Sequence, residues 1–410
     1  MQNLNPLKTL VLLLLLFPYL GVGQESKLEC VDPESLGLSI DSLKVMSQHF
    51  KQLVKTDQLA GYQIAIVRGS QLGYFESGGH ADKEENIEIT DQTLFRIFSM
   101  TKPIVSVGIM QLVEKGLISL DDPVNKYIPS FKNRWTYNEE GDSIPIKNDI
   151  TIKHLLTHTS GLCYGRSPNK FINKKFADSD IHNCADNKAF VEKLSEMPLS
   201  FEPGTNWAYS YATNICGHLI EIVSGKNLDV YLKENILIPL GMNNTFFQVP
   251  SEKIEHFTVG YGADENHKLT IREPRIDNRY TNDVTLFNGG GDLVSSMHDY
   301  IKFCQMLSHG WYFDGKRILN KESIDLMTQN HLAEIQIANP EMNLPSGEPG
   351  FGLGFAVNDG VYGWGGAVGT YFRIDKKRNL FYILMIQLSP YQHLNIREVF
   401  QDFVVSAVVE

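Results

Sequence analysis

Leu94-Phe95-Arg96-Ile97-Phe98-Ser99-Met100-Thr101-Lys102-Pro103, running on through Ile104 to Val113, is the stretch on which the reading of this chain turns. From Ile104 to Val113 the residues are apolar nearly all round, which predicts a helix buried at the centre of the molecule rather than laid on its surface. Lys115-Gly116 supplies a C-terminal stop. Pro103 fits only a first turn, so the helix starts near Ser99. Ser99 and Lys102 then stand at i and i+3 on one face, with Cβ atoms roughly 5–6 Å apart. A serine oxygen at the positive end of a helix dipole is favoured as an alkoxide, and a lysine one turn on takes its proton if burial lowers the ammonium pKa.

The four-residue pattern is weak by itself. With 27 Ser and 26 Lys in 410 residues, about 1.7 S-x-x-K matches are expected from composition. Two occur, and only their surroundings separate them. Ser167-Pro168-Asn169-Lys170 lies in a polar, proline-containing loop and reads as structural.

Outward from the buried helix, Gly61–Arg68 and Leu72–Gly78 form a hairpin pattern about Gly69-Ser70-Gln71. A helical pattern over residues 36–56 precedes them. Near the C-terminus Tyr362–Ile374 and Leu380–Leu388 are extended, split by the charged turn Asp375–Asn379, and a closing amphipathic helix carries Ile396, Phe400 and Val404. Residues 117–285 mix helix with long polar loop. Strands at both ends with helices between predict one sheet interrupted by a helical insertion.

Two further places could carry chemistry. Tyr209 follows the Pro203-Gly204 turn and stands just ahead of a helical run that stops at Gly225, so it points into a cleft or simply packs. A cation beside a tyrosine equips it for proton transfer. Gly363-Trp364-Gly365-Gly366-Ala367 places glycines inside a strand, which marks either a bulge or a close approach of ligand, where a free N–H could complete an oxyanion hole with that of Ser99.

Other features read blandly. His154 and His158 are spaced like half a zinc site, but no adjacent Glu or third ligand accompanies them, so no metal is expected. Gly289-Gly290-Gly291 reads as a loop wall, and Asn243-Asn244-Thr245 is a sequon. Five cysteines cannot all pair, although Cys163 and Cys184 could bridge in an oxidising compartment. A net charge of −11 without a Lys/Arg stripe argues against nucleic acid as a partner. Met1–Gly23 has the charge, short apolar run and small residues of a secretory signal, with cleavage before Gln24, and nothing later is apolar enough to span a bilayer. The expectation is an exported protein, periplasmic or secreted.

The order of these elements is recognisable: Ser99-Met100-Thr101-Lys102, a tyrosine about 107 residues on, and a glycine-rich strand about 155 beyond that. With His154–Leu162, Pro239-Leu240-Gly241-Met242 and Gly289–Ser295, the chain resembles the serine β-lactamase/penicillin-binding protein superfamily, near class C β-lactamases and most like the β-lactamase-fold carboxylesterases. The resemblance runs from about residue 36 to 410. It implies an α/β (α+β) fold of β-lactamase/DD-peptidase type, an antiparallel sheet flanked by helices. Residues 24–410 would form one domain, its α/β part about 36–100 and 290–410 and its helical subdomain about 101–289. It also implies Ser99 as nucleophile, Lys102 as its base, Tyr209 as partner in proton transfer and the N–H groups of Ser99 and Ala367 as oxyanion donors. Trp364, Gly365, Gly366 and Tyr211 would line the substrate, and no cofactor is implied.

Two departures set the expected substrate. Lactamases and peptidases of this superfamily have Asn two residues after the motif tyrosine, where this chain has Tyr211, and Lys/His-Thr/Ser-Gly where it has Trp364-Gly365-Gly366. An indole cannot supply the cation that holds a substrate carboxylate. A lost charge-assisted hydrogen bond is worth about 1.5–3 kcal/mol, a factor of roughly ten to a hundred and fifty. Trp364 instead offers an apolar wall. The expectation is a carboxylesterase acting through an acyl-enzyme on small or medium uncharged esters, amides being open. The alternatives are a β-lactamase or D-amino-acid peptidase, for which Arg373 would be a nearby cation, and a non-catalytic receptor. Oligomeric state is left open, and the acyl-pocket walls are expected from 164–200 and 260–290.

Overall fold

The computed structural model describes residues 29–309, 312–313, 316–338, 342 and 349–409, so the signal-peptide reading of Met1–Gly23 lies outside the described residues. Helix α1 (Ile40–Lys55) is capped by Ser39, whose side chain accepts from Ser42 N, and buries Leu43, Met46, Phe50 and Leu53. Strands β1 (Gly61–Arg68) and β2 (Gln71–Asp82) form the expected hairpin, extended by the short β3 (Ile87–Glu88). Then β4 (Leu94–Arg96) leads through a 3-10 turn, Phe98–Met100, into α2 (Thr101–Glu114), buried from Thr101 to Leu112.

The interior of the chain adds α3 (Ile152–Leu156) and α4 (Ala212–Ser224), the latter packed on α2 and ended by Gly225 in the left-handed conformation. Strand β5 (Val294–Ser296) pairs antiparallel with β4 and leads into α5 (Met297–Ser308). The sheet is completed by β6 (Gly350–Phe351), β7 (Ala356–Asn358), β8 (Val361–Gly365), β9 (Tyr371–Asp375) and β10 (Leu380–Ile386), and α6 (Ile396–Ala407) closes the described chain.

The strand order is β6-β7-β8-β9-β10-β1-β2-β3, antiparallel throughout, so the first and last strands in sequence meet at β10–β1. Alternation divides the side chains cleanly. Phe381, Ile383 and Met385 of β10 join the core that holds α2, while Leu380, Tyr382, Leu384 and Ile386 join the core under α1 and α6. A strand covered on both faces needs no polar face, which is why Leu380–Ile386 reads as an unbroken apolar run.

One element departs from the sequence reading. Tyr362–Ile374 is not one strand but two, β8 and β9, turning at Gly366–Thr370. The turn is closed by Gly366 N donating to Thr370 O (2.8 Å) and Gly369 N to Gly366 O (3.1 Å). Gly369, at φ +89°, takes the left-handed conformation the turn requires.

Candidate active site

Ser99 lies in the 3-10 turn at the head of α2, half-buried, between anchors that hold the turn from both sides. Ile97 N donates to Leu293 O, Leu293 N to Thr101 Oγ1, and the Tyr300 hydroxyl to Met100 O. Phe98 has φ +43°, a left-handed conformation costly for a side chain of this kind, directly before Ser99. Its ring lies 5.4 Å below the Arg279 guanidinium.

The Lys102 ammonium is buried and points back at Ser99. Its Nζ lies 3.4 Å from Ser99 Oγ, 3.1 Å from the Tyr164 hydroxyl and 2.5 Å from the Gly290 carbonyl, and 4.7 Å from the Tyr209 ring centroid. Burial pushes its pKa down, but the facing oxygens of Tyr164 and Tyr209 outweigh burial, and the net displacement is upward. This corrects the expectation that burial would lower it: Lys102 is an ammonium at neutral pH. Tyr164 is raised to about 12, burial exceeding the opposing pull of Lys102.

Tyr209 sits in the loop just before α4. Its hydroxyl accepts a hydrogen bond from Trp364 Nε1 at 3.2 Å, and its ring packs on Trp364 and His158 at 5.3 and 5.0 Å. Trp364 therefore supplies a donor as well as an apolar wall. Gly366 N is already spent on Thr370 O, and the two glycines serve close packing: a Cβ on Gly365 would lie 2.5 Å from Arg397 Cζ, and one on Gly366 2.5 Å from Ile97 O. Among the described residues the Ala367 N–H has no backbone acceptor.

Tyr211 is buried, 4.2 Å from the Tyr164 ring, and forms the floor of a cavity of about 820 Å³. Tyr164, Phe190 and Leu286 contribute its apolar lining, and Glu273, Arg279, Asp283 and Asp292 its charges. Three of those charges pair in a ladder with Arg96: Arg96 Nε meets Glu273 at 2.8 Å, and Arg279 meets Glu273 at 3.9 Å and Asp292 at 3.1 Å.

Two sequence readings change. Arg373 is no carboxylate partner for this site. Its Nε donates to the hydroxyl of Tyr371, a residue of the α1/α6 core, whereas Trp364 and Phe372 belong to the opposite core. Cys163 and Cys184 are free thiols, the first buried. His154 and His158 do not act together, since His154 Nδ1 accepts from Thr151 N in a capping box and buried His158 pairs with Ser210 Oγ at 3.1 Å.

Sequence reasoning missed Tyr164 and the Lys102-anchoring carbonyl of Gly290. Tyr164 follows His158-Thr159-Ser160-Gly161-Leu162 by two positions, between Gly161 and Gly165 at φ +81° and +70°, a turn signal that could have marked it. Gly290 carries no local sign of its role. Asn288 Oδ1 accepts from Gly290 N and Asn214 Nδ2, and a Cβ on Gly290 would lie 2.3 Å from Asn214 Oδ1.

A serine and lysine one turn apart at the head of a buried helix, faced by two phenols beside an antiparallel sheet, define a serine hydrolase of the acyl-transferring kind. The chain belongs to the beta-lactamase family, whose model matches residues 46–401. It is 31% identical over 247 residues to the esterase EstB of Burkholderia gladioli, covering 59% of this chain and 61% of that protein. It is 28% identical over 341 residues to the lovastatin esterase of Penicillium rubens, covering 74% and 82%. The unliganded selenomethionyl derivative of simvastatin synthase LovD of Aspergillus terreus shares the fold, with a TM-score of 0.75 at 24% identity over 89% of this chain and 98% of that one. Among the described residues no helix is long and apolar enough to cross a membrane.

Proposed function

We propose that the chain is an exported carboxylesterase that cleaves uncharged esters through an acyl-enzyme on Ser99. One observation carries this reading: where the lactamase pattern has a cation, the indole of Trp364 donates to the Tyr209 hydroxyl at 3.2 Å. The position keeps its donor and loses its charge. The cavity wall offers no replacement, because Arg279 is engaged by Asp292 and Glu273. The esterase names of two relatives agree.

The groups around Tyr209 support its role in moving the proton. Trp364 donates to its hydroxyl and the Lys102 ammonium lies 4.7 Å from its ring, which favours its oxygen as an acceptor. Attack needs the Lys102/Tyr209 pair one proton short, so that it can take up the proton Ser99 releases. Ser99 Oγ attacks the ester carbonyl while its proton passes to Tyr209, and the N–H groups of Ser99 and Ala367 receive the developing oxyanion. The C–O bond to the alcohol then breaks, and Tyr209 returns the proton to the departing alkoxide. Water repeats the sequence in reverse to free the acid.

Hydrolysis of p-nitrophenyl butyrate and of a chromogenic cephalosporin, compared in wild type and Ser99→Ala, tests the reading. Ester cleavage lost in the variant, with little cephalosporin turnover by wild type, is the expected result. Efficient cephalosporin turnover would favour the lactamase alternative, and activity surviving in Ser99→Ala would exclude this nucleophile. For export, mass spectrometry of the secreted protein should find an N-terminus at Gln24.

A further inference from the structure

Arg397 lies in the first turn of α6, where a cation opposes the helix dipole, and among the described residues no carboxylate stands within ion-pair distance of it. Its guanidinium is held between the rings of Tyr391 (4.4 Å) and Tyr371 (5.5 Å), and its buried Nε has no hydrogen-bond partner. A partly buried charge kept without a counter-ion is costly for stability, which makes function the better reason for its presence.

Its donors converge on the turn after β8. Nη2 donates to the carbonyl of Gly366, and to that of Thr370 at 3.0 Å. The Gly366 carbonyl shares a trans peptide unit with the Ala367 N–H, so the two point in opposite directions. A charged donor on the carbonyl draws electron density from the amide and strengthens its N–H as a donor on the other side. Gly365 leaves the room for this contact, since a Cβ there would lie 2.5 Å from Cζ and 2.6 Å from Nη2.

We infer that Arg397 is a positioning residue for the oxyanion: bonded to the Gly366 carbonyl, it orients and polarises the Gly366–Ala367 peptide so that the Ala367 N–H meets the negative charge formed in acyl transfer. The missing counter-charge arrives with the reaction. This rests on the proposed esterase mechanism, and in particular on Ala367 as an oxyanion donor.

The test measures kcat and KM for p-nitrophenyl butyrate, and inhibition by butylboronic acid. In that adduct Ser99 Oγ bonds to boron, its proton passes to the Lys102/Tyr209 pair, and boron becomes tetrahedral and anionic. Arg397→Met should lower kcat about tenfold to thirtyfold, leave KM within twofold and weaken boronate inhibition by the same factor as kcat. Arg397→Lys should recover part of the loss. Gly365→Ala, which displaces the guanidinium without removing it, should show the same pattern, and the double variant should be no worse than Arg397→Met alone.

Arg397→Met with kcat and boronate inhibition both within twofold of wild type would overturn the inference, as would a loss confined to KM, which would make Arg397 a substrate contact. If Arg397→Met does not fold, Gly365→Ala decides by the same readouts. Activity retained in Ser99→Ala breaks the mechanism itself, whereas an inactive Ser99→Ala beside a normal Arg397→Met breaks only the role given to Arg397.

Discussion

Ser99–Lys102 and Ser167–Lys170 are the same four-residue pattern in two settings. At the first, lysine is buried and its ammonium is shared among Ser99, Tyr164 and the Gly290 carbonyl. At the second, Lys170 is exposed, 5.1 Å from the Phe171 ring, at the start of the helix Lys170–Ala177. There Ser167 is a turn residue: its Oγ accepts from Asn169 N, and its backbone exchanges hydrogen bonds with the Asn173 side chain. Asn169 caps the helix. On the proposed mechanism, reactivity comes from what buries the lysine and which oxygens face it, and the spacing only permits it.

The sharpest way to break this contrast is to remove each ammonium. Lys102→Met should lower kcat/KM for p-nitrophenyl butyrate by roughly 10³–10⁴, because both the attack on the ester and the proton return depend on the Lys102/Tyr209 pair. Its thermal midpoint should hold or rise, since exchanging a buried charge for an apolar side chain of similar length is often neutral or stabilising. Lys170→Met should leave turnover within twofold. Equal losses in the two variants would undo the distinction.

A second experiment returns the missing charge. Trp364→Lys should shift the ratio of cephalosporin to ester turnover by about tenfold or more toward the lactam, the lower end expected for one charge-assisted bond. The ester rate should fall as well, because Tyr209 and Phe351 lose the indole packed 5.3 Å from each. An unchanged ratio would remove Trp364 as the determinant of substrate class.

Much of the fold was legible because it rests on local patterns. The β1–β2 hairpin, the all-apolar α2 and the period of α6 each announce themselves in a window of about a dozen residues. The β8–β9 turn did not, since Gly365-Gly366 in an apolar run is equally consistent with a bulge. At the site, Ser99, Lys102, Tyr209 and Trp364 could be named from motifs. The direction of the Lys102 shift could not, because it depends on Tyr164, brought from 62 positions away. Gly290 and Arg397 act through a backbone carbonyl and a peptide plane, which no pattern of side chains records.

A smaller effect separates the site's packing from its chemistry. His158 is buried, with φ +56°, and burial followed by the nearby Lys102 charge holds its pKa well below the ordinary 6.5. The unfolded chain therefore takes up this proton first as pH falls. The stability due to neutral His158 is complete above about 6.5 and is lost below it, at up to about 1.4 kcal/mol per pH unit. His158→Asn tolerates the left-handed backbone and should lack that slope between pH 6.5 and 5 in chemical denaturation. His49, His154, His331 and His393, also lowered by burial, act in both proteins and cancel in the difference. Parallel curves would mean that His158 is protonated in the folded protein.

The smallest effect expected is at Ser167, and it closes the contrast between the two motifs. Ser167→Ala deletes the oxygen that accepts from Asn169 N at 3.3 Å but leaves both backbone bonds to Asn173 and the Asn169 cap on Phe171 N. The turn is only half-buried, so water can replace that acceptor and the cost should be about 0.5–1 kcal/mol of stability at most. Turnover should stay within twofold, since nothing at Ser167 touches the Lys102 cluster. A kinetic loss there comparable to that of Ser99→Ala would mean that the polar loop, rather than the buried helix, carries the nucleophile, and that burial is the wrong criterion for choosing between two identical spacings.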